Sequence, residues 1–400
     1  MRRRTPTRLL IADEVGLGKT IQAGILIRHL WLTKPGARVL ILAPKAVTSQ
    51  WQIELREKLN LLVPIYDGKA FTWYPSLALQ CQSTEKVAKD EWHKENIVIT
   101  SSHLMRRRDR IGEIQEAEPW DLIIVDEAHH ARRRGMVGSS DRRPNQMLHL
   151  LTKLPEKTEA MVFLTATPMQ VNPTEVYDLL RVLGLPDEWS EDNFLSYFDI
   201  VTSTNPTNKE LSFAAKMFRN LEENFEPIDE IHIDRIFKGI SSVKRRKVLK
   251  ALRDSTGLKI QNLSTEERKK ALQVLKAYSP VSVLISRHTR RLLRMYYKQG
   301  KISTPIAQRR VHDEFIHMTE SERSVYDQLE DYITSTFNAA EPDKKTAAGF
   351  VLTVYRKRIA SSFYALSQTL SKRLRKLRND PRSNCKYFSM REYTGRRSLY

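Results

Sequence analysis

Asp13-Glu14-Val15-Gly16-Leu17-Gly18-Lys19-Thr20 brings two glycines, a lysine and a hydroxyl into one short stretch, the combination needed to hold a chain of phosphates. Glycine lets a turn fold tightly enough for main-chain N–H groups to converge on phosphate oxygens, and a helix opening at Lys-Thr adds a favourable field for negative charge. In such a loop Lys19 reaches the β- and γ-phosphates and the Thr20 hydroxyl ligates Mg²⁺. Asp13, Gly16, Leu17, Gly18, Lys19 and Thr20 are therefore the candidate nucleotide-binding residues, with ATP and Mg²⁺ as the expected ligands. The pattern G-x-x-x-x-G-K-[ST] has its first glycine where this chain has Asp13, so the match is partial, and a surface turn that contains Gly-Lys-Thr is the alternative.

A second chemical stretch is Asp126-Glu127-Ala128-His129, directly after the apolar run Leu122-Ile123-Ile124-Val125. A carboxylate at the end of a buried strand is costly unless it meets a cation, and a metal held by Thr20 supplies one. Asp126 is accordingly assigned to the metal. Glu127, one residue on and pointing elsewhere, is placed to orient and deprotonate a water that attacks the γ-phosphate. Lys19, Asp126 and Glu127 are the candidate catalytic residues; an acidic pair capping the next helix is the alternative for the last two.

These groups need strands that end at one place. Leu9 to Ala12, Arg38 to Ala43, Ile97 to Ser101, Leu122 to Val125 and Val162 to Leu164 are short apolar runs, each fit for a strand buried on both faces. Helical patterns separate them: Ile21 to Leu32, then Ala46 to Leu59 with Val47, Trp51, Leu55 and Leu59 on one face, then Thr174 to Leu183. Trp51 on that face reads as core rather than as a nucleic-acid contact. The alternation predicts an α/β fold with a doubly wound parallel sheet, whose carboxyl edge is where ligands sit. Thr100 and Ser101, and Thr165 and Thr167, stand as hydroxyls at two of these strand ends, although a turn before Pro168 would look similar.

Composition narrows the partners. The chain has 67 Lys and Arg against 47 Asp and Glu, a formal net charge of +20, which favours polyanions. Its 40% hydrophobic content over 400 residues is enough for a core in each of two or three domains. Cys81 and Cys385 have no Cys or His companions at ligand spacing, so neither structural zinc nor a disulfide framework is expected. Asp13 and Glu14 cut the first apolar run short for a signal peptide, and no run approaches a membrane span, so an intracellular, cytoplasmic location is expected.

Taken in order, Gly16-Leu17-Gly18-Lys19-Thr20, Leu42-Ala43-Pro44, Thr100-Ser101, Asp126-Glu127-Ala128-His129 and Thr165-Ala166-Thr167-Pro168 resemble the motifs of superfamily-two helicases. Asp13 to Gln22 and Thr165-Ala166-Thr167-Pro168-Met169-Gln170 resemble its Swi/Snf branch, and the bacterial members in particular. The resemblance implies a RecA-like P-loop NTPase fold and an ATP-driven translocase on double-stranded DNA that remodels protein–DNA or transcription complexes. Relatives include an RNA-polymerase recycling factor and phage-defence helicases, so RNA polymerase or phage-defence proteins are implied as partners; Gly349 to Ser362 resembles the latter group. It further implies that His129, Thr165, Thr167 and Gln170 couple hydrolysis to DNA, and that Lys45, Thr100 and Ser101 lie on the DNA track. Two departures stand out: only Met1 to Thr7 precede the loop where the family carries an adenine-recognising glutamine motif, and no second RecA-like half with an arginine motif is visible. A fragment or truncated reading frame, nearly inactive in hydrolysis by itself, is therefore expected.

The expected divisions are an ATP-binding domain at 1–185, a helical insertion at 186–300, a helical linker or bracing region at 301–378 and a tail at 379–400. Ser264-Thr265-Glu266-Glu267 and Thr319-Glu320-Ser321-Glu322 fit the capping box, the second opening a helix with Val325, Leu329 and Tyr332 on one face. Leu352, Tyr355, Ile359, Phe363, Leu366, Leu370, Leu374 and Leu377 predict one long amphipathic helix. Among the basic runs, 106–108 and 132–134 follow motif-bearing strand ends, which makes Arg132 and Arg133 candidate phosphate-backbone contacts; 244–247 reads as a solvated helix face. Arg287-His288-Thr289-Arg290-Arg291 resembles a family segment that returns from the helical insertion toward the second half. Two other readings remain: a non-catalytic nucleotide-dependent DNA-binding module, and an RNA helicase, which also carries Asp-Glu-Ala-His.

Overall fold

The computed structural model describes residues 8–75, 83–134, 142–166, 173–307, 312, 314, 317–339 and 345–379. Its strands, in chain order, are β1 (Arg8–Ile11), β2 (Val39–Ala43), β3 (Ile65–Tyr66), β4 (Ala70–Thr72), β5 (Thr84–Lys86), β6 (Ile97–Ser101), β7 (Trp120–Val125), β8 (Arg133–Arg134), β9 (Arg143–Pro144), β10 (Thr158–Leu164) and β11 (Ile285–Ser286). Nine of them form one sheet in the order β11-β1-β10-β7-β2-β6-β3-β4-β5, while β8 and β9 make a separate two-stranded ribbon. The sheet is parallel from β11 to β3; β4 and β5 are antiparallel additions at one edge.

The strand sequences account for this. In β2 every residue is buried, with Val39, Ile41 and Ala43 in one apolar cluster and Leu40 and Leu42 in another. A strand apolar on both faces must be covered on both, which is why the alternation of strand and helix closes into a layered α/β sheet. Helix α1 (Lys19–Thr33) and helix α2 (Thr48–Leu59) cover the first face through Ala23, Ile27, Trp51 and Leu55. The two helices approach closely at Gly24, where an added Cβ would lie 2.2 Å from Leu59 Cδ1. The opposite face packs into one continuous core with the helices of 146–284, through residues such as Phe163, Leu180, Phe194, Phe218 and Val274.

The chain divides into two compact units, one up to residue 307 and one from 308. In the first, the helical region sits between the sheet's last long strand and β11, which brings the chain back beside β1. The basic run at 244–247 is a solvated face braced by acids: Lys244 pairs with Glu266, Arg245 with Asp234 and Glu230, and Lys247 with Glu267. The Ser264 capping box is present, Ser264 Oγ accepting from Glu267 N at 3.3 Å and Glu267 Oε2 from Ser264 N at 2.8 Å.

The second unit, taken by itself, is built from helices Glu320–Ala339, Lys345–Ser361 and Phe363–Asn379 around Leu329, Ile333, Leu352, Tyr355, Ile359 and Leu366. The Thr319 capping box forms as expected. Two sequence expectations are corrected here. The buried face of the first helix is Leu329 and Ile333, whereas Val325 and Tyr332 are 45% and 41% exposed. The long helix is two, broken at Ser362, whose Oγ accepts from Ala365 N at 3.1 Å and so caps the second; the apolar spacing continues across a break that a single N-cap serine makes. The tail from 380 lies outside the described residues.

Candidate nucleotide and nucleic-acid site

Parallel strands put all their carboxyl ends at one rim. With β10 lying between β1 and β7, the ends of the outer two are separated by roughly 10 Å. Register makes them level: Ile11 pairs with Leu164 and Val125 with Phe163. The chain therefore delivers the loop after Ile11, the hydroxyl of Thr165 and the carboxylates of Asp126 and Glu127 to a single stretch of edge.

The loop has the shape its glycines require. Gly16 and Gly18 have φ of +78° and +77°, a conformation that side chains disfavour. Gly18 is the N-cap of α1 and offers no side-chain hydrogen bond, so the first N–H groups of the helix remain for a ligand. Lys19 Nζ donates to the carbonyls of Asp13 at 2.9 Å and Glu14 at 3.4 Å. Thr20 follows in the first turn of α1.

Asp13 is 1% exposed and its carboxylate is used internally: Oδ2 accepts from Gln22 Nε2 at 2.8 Å and Oδ1 from His288 N at 2.6 Å. An aspartate where a glycine is usual thus braces the loop from behind, leaving its carbonyl to Lys19. Gln22 also donates to Leu17 O at 3.3 Å, so the loop is held along its length.

Asp126 Oδ1 accepts from Glu127 N and Oδ2 from Trp51 Nε1, both at 2.9 Å. Burial pushes the Asp126 carboxyl above the usual carboxylate range, opposed by the Trp51 hydrogen bond. Among the described residues it forms no ion pair with a lysine, arginine or histidine side chain, so a cation beside it would relieve a real electrostatic penalty. A hydroxyl and one carboxylate are hard oxygen donors of the kind Mg²⁺ takes alongside phosphate oxygens and water. No group of three or more His, Cys, Asp or Glu among the described residues could hold a metal without such help. The residues present fit a magnesium nucleotide: main-chain N–H groups and Lys19 for phosphates, Thr20 and Asp126 for the ion.

Glu127 sits at φ +51°, an uncommon conformation for a side-chain-bearing residue, and points apart from Asp126. Its Oε2 lies 3.0 Å from His129 Nδ1, and that hydrogen bond holds the Glu127 carboxyl below the usual range, in the ionised form that a base requires. His129 Nδ1 is also 3.1 Å from Thr165 Oγ1, which links the acidic stretch to the end of β10. Thr167 and Gln170 lie outside the described residues.

The candidates for nucleic acid divide. Lys45 and Arg132 are exposed at the carboxyl rim, as is Arg108, whereas the exposed Arg107 is paired with Asp109. Thr100 is instead fully buried and donates to Tyr66 O at 3.1 Å, and Ser101 is 9% exposed and caps the short helix Ser102–Met105 through His103 N. Both are corrected from surface contacts to internal hydrogen-bond groups, because β6 is covered at its end by β3. Arg133 is corrected likewise: its guanidinium pairs with Asp178 at 2.7 Å and Glu191 at 2.7 Å, and charges so paired are not offered to a phosphate.

Two contributions escaped the sequence. Trp51 is core, at 1% exposure, yet its indole N–H is spent on the Asp126 carboxylate; the only available signal was that a buried tryptophan needs an acceptor. The segment around His288 and Arg290 reaches the loop from 275 residues away, a pairing no local pattern announces.

The sheet and its covering helices define a mostly parallel, layered α/β fold with a glycine loop at its carboxyl edge. The chain matches the SNF2-related domain over residues 2–382 and belongs to that family. Family membership brings ATP hydrolysis with a divalent metal as the family's general chemistry. Among solved structures, the chain is similar to the Sulfolobus solfataricus SWI2/SNF2 ATPase core in complex with dsDNA, at 14% identity over 88% of this chain and 53% of that one with a TM-score of 0.35. It is similar to the same organism's SWI2/SNF2 ATPase core domain at 15% identity over 88% and 52%, TM-score 0.35. It is also similar to the Pyrococcus furiosus Hef helicase domain, at 15% identity over 74% and 71%, TM-score 0.31. The chain spans about half the length of the two SWI2/SNF2 structures. No helix among the described residues is long and apolar enough to cross a membrane.

Proposed function

We propose that this chain is the ATP-binding half of a Swi/Snf-type motor that translocates on double-stranded DNA and remodels protein–DNA or transcription complexes. The observation that carries the reading is the convergence on one sheet edge of the glycine loop, Asp126, Glu127 and the His129–Thr165 link. In this reading the loop amides and Lys19 grip the triphosphate, and Thr20 and Asp126 would hold a magnesium ion, which would supply charge neutralisation at the phosphates. Glu127 orients the attacking water and accepts its proton, while His129 passes the state of that carboxylate to Thr165. The net charge of +20 and the exposed Lys45, Arg108 and Arg132 on the same rim support a polyanionic track, contacted through its backbone without regard to sequence.

Only one RecA-like sheet is present among the described residues, which supports a chain that by itself binds ATP and turns it over slowly. The deciding experiment measures ATP binding and hydrolysis with duplex DNA, single strands and RNA, for the native sequence and Glu127→Gln. Glu127→Gln is expected to keep ATP affinity within about threefold while any DNA-stimulated turnover falls by roughly 10²-fold or more. Equal turnover in the two proteins would remove Glu127 from the mechanism. Stimulation by RNA alone would replace the DNA reading with the RNA one.

A further inference from the structure

The end of the helical region returns to the nucleotide loop and lays an arginine on it. β11 pairs with β1, and the ladder runs on: Ala12 N donates to Ser286 O at 2.8 Å and Glu14 N to His288 O at 3.2 Å. Side chains follow the backbone. Glu14 Oε2 accepts from Arg290 N at 3.2 Å and from Arg290 Nη1 at 3.3 Å, and Val15 O accepts from Arg290 Nη2 at 2.5 Å. Thr289 caps the helix Arg290–Lys298, its Oγ1 accepting from Leu292 N at 3.1 Å, so the arginine's backbone is placed independently of its own side chain. A Cβ on Gly16 would stand 3.2 Å from Arg290 Nη2, which puts the guanidinium against the glycine turn itself.

Two cations therefore share the rim at residues 13–15. Lys19 Nζ rests on the carbonyls of Asp13 and Glu14, and Arg290 on the Val15 carbonyl and the Glu14 carboxylate. Neither set of partners is strong. Carbonyls are neutral, and the Arg290–Glu14 pair is 27% and 36% exposed, where water screens it. Phosphate oxygens are charged acceptors whose geometry matches the guanidinium fork. We propose that Arg290 is a nucleotide-contacting residue that leaves the Glu14 carboxylate for the terminal phosphate, so that the site distinguishes ATP from ADP. This rests on the nucleotide reading of residues 16–20. It also gives the helical region a direct line to the triphosphate, because Arg290 opens the helix that continues from β11.

The test is the ratio of ATP to ADP affinity, by titration calorimetry on the whole chain with Mg²⁺, for the native sequence, Arg290→Ala, Arg290→Lys, Glu14→Gln and Lys19→Ala. Arg290→Ala should weaken ATP by roughly tenfold or more and ADP by less than about twofold, with Arg290→Lys between, since a charge-assisted bond is lost only for the triphosphate. Glu14→Gln frees the guanidinium without altering it and should raise the ATP preference, which keeps the proposal open to refutation even where Arg290→Ala folds poorly. Equal losses of ATP and ADP in Arg290→Ala would make the arginine a strut and overturn the proposal, as would an unchanged ratio in Glu14→Gln. Unchanged ATP binding in Lys19→Ala would instead bring down the nucleotide site itself, a distinct failure.

Discussion

The carboxyl edge of the sheet and the helical region at 191–284 are held to opposite standards of local satisfaction. In the helical region, six helices begin at Ser190, Thr207, Asp229, Ser241, Ser264 and Ser279, and each of these side chains accepts a hydrogen bond from its own helix; the four-residue helix Leu258–Gln261, opening at Gly257, is the exception. Tyr197 is fully buried and donates to the carbonyls of Leu275 and Tyr278, with burial holding its hydroxyl protonated. At the sheet edge, α1 starts without a side-chain cap, Glu127 and two glycines hold positive φ, and Asp126 is half-buried with no ion pair among the described residues. Local rules are mostly obeyed where the chain only has to pack, and the departures at the edge gather around the proposed nucleotide loop.

That contrast can be broken by substitution, because changes at the edge should move ligand affinity and changes in the helical region should move stability. The largest effect belongs to Lys19→Ala, expected to weaken ATP by roughly a hundredfold or more through loss of charge-assisted phosphate bonds, with little change in the denaturation midpoint. Titration with ATP checks the first and chemical unfolding the second. Tyr197→Phe should do the reverse, costing about 1–2 kcal/mol of stability as two buried carbonyls lose a donor, while ATP affinity stays put. Ser264→Ala, which removes one cap, should cost about 1 kcal/mol and again leave ATP untouched. A clear loss of ATP affinity in either helical variant would mean the two regions are not separable in this way.

Much of the edge was legible because long apolar runs announce buried strands and the chemistry stands directly after them, as at Ile11, Val125 and Leu164. What stayed hidden is short or distant. β3, β4 and β11 have two or three residues each, too few to show a period, so the antiparallel sheet edge and the return to β1 were not foreseen. Thr100 and Arg133 carry the right side chains at plausible places, and only tertiary structure shows that one is covered by β3 and the other consumed by Asp178 and Glu191. Trp51 was legible as core by its helical spacing, but the acceptor of its indole N–H, Asp126, comes from the end of β7, distant in sequence.

The central claim is that the glycine loop and Asp126 act on one magnesium nucleotide across the strand that separates them. ATP affinity measured with and without Mg²⁺, in the native sequence and in Asp126→Asn, tests it directly. The account predicts that Mg²⁺ tightens ATP binding to the native chain and has little effect on Asp126→Asn, both proteins binding comparably without the ion. The same Mg²⁺ response in the two proteins would contradict it.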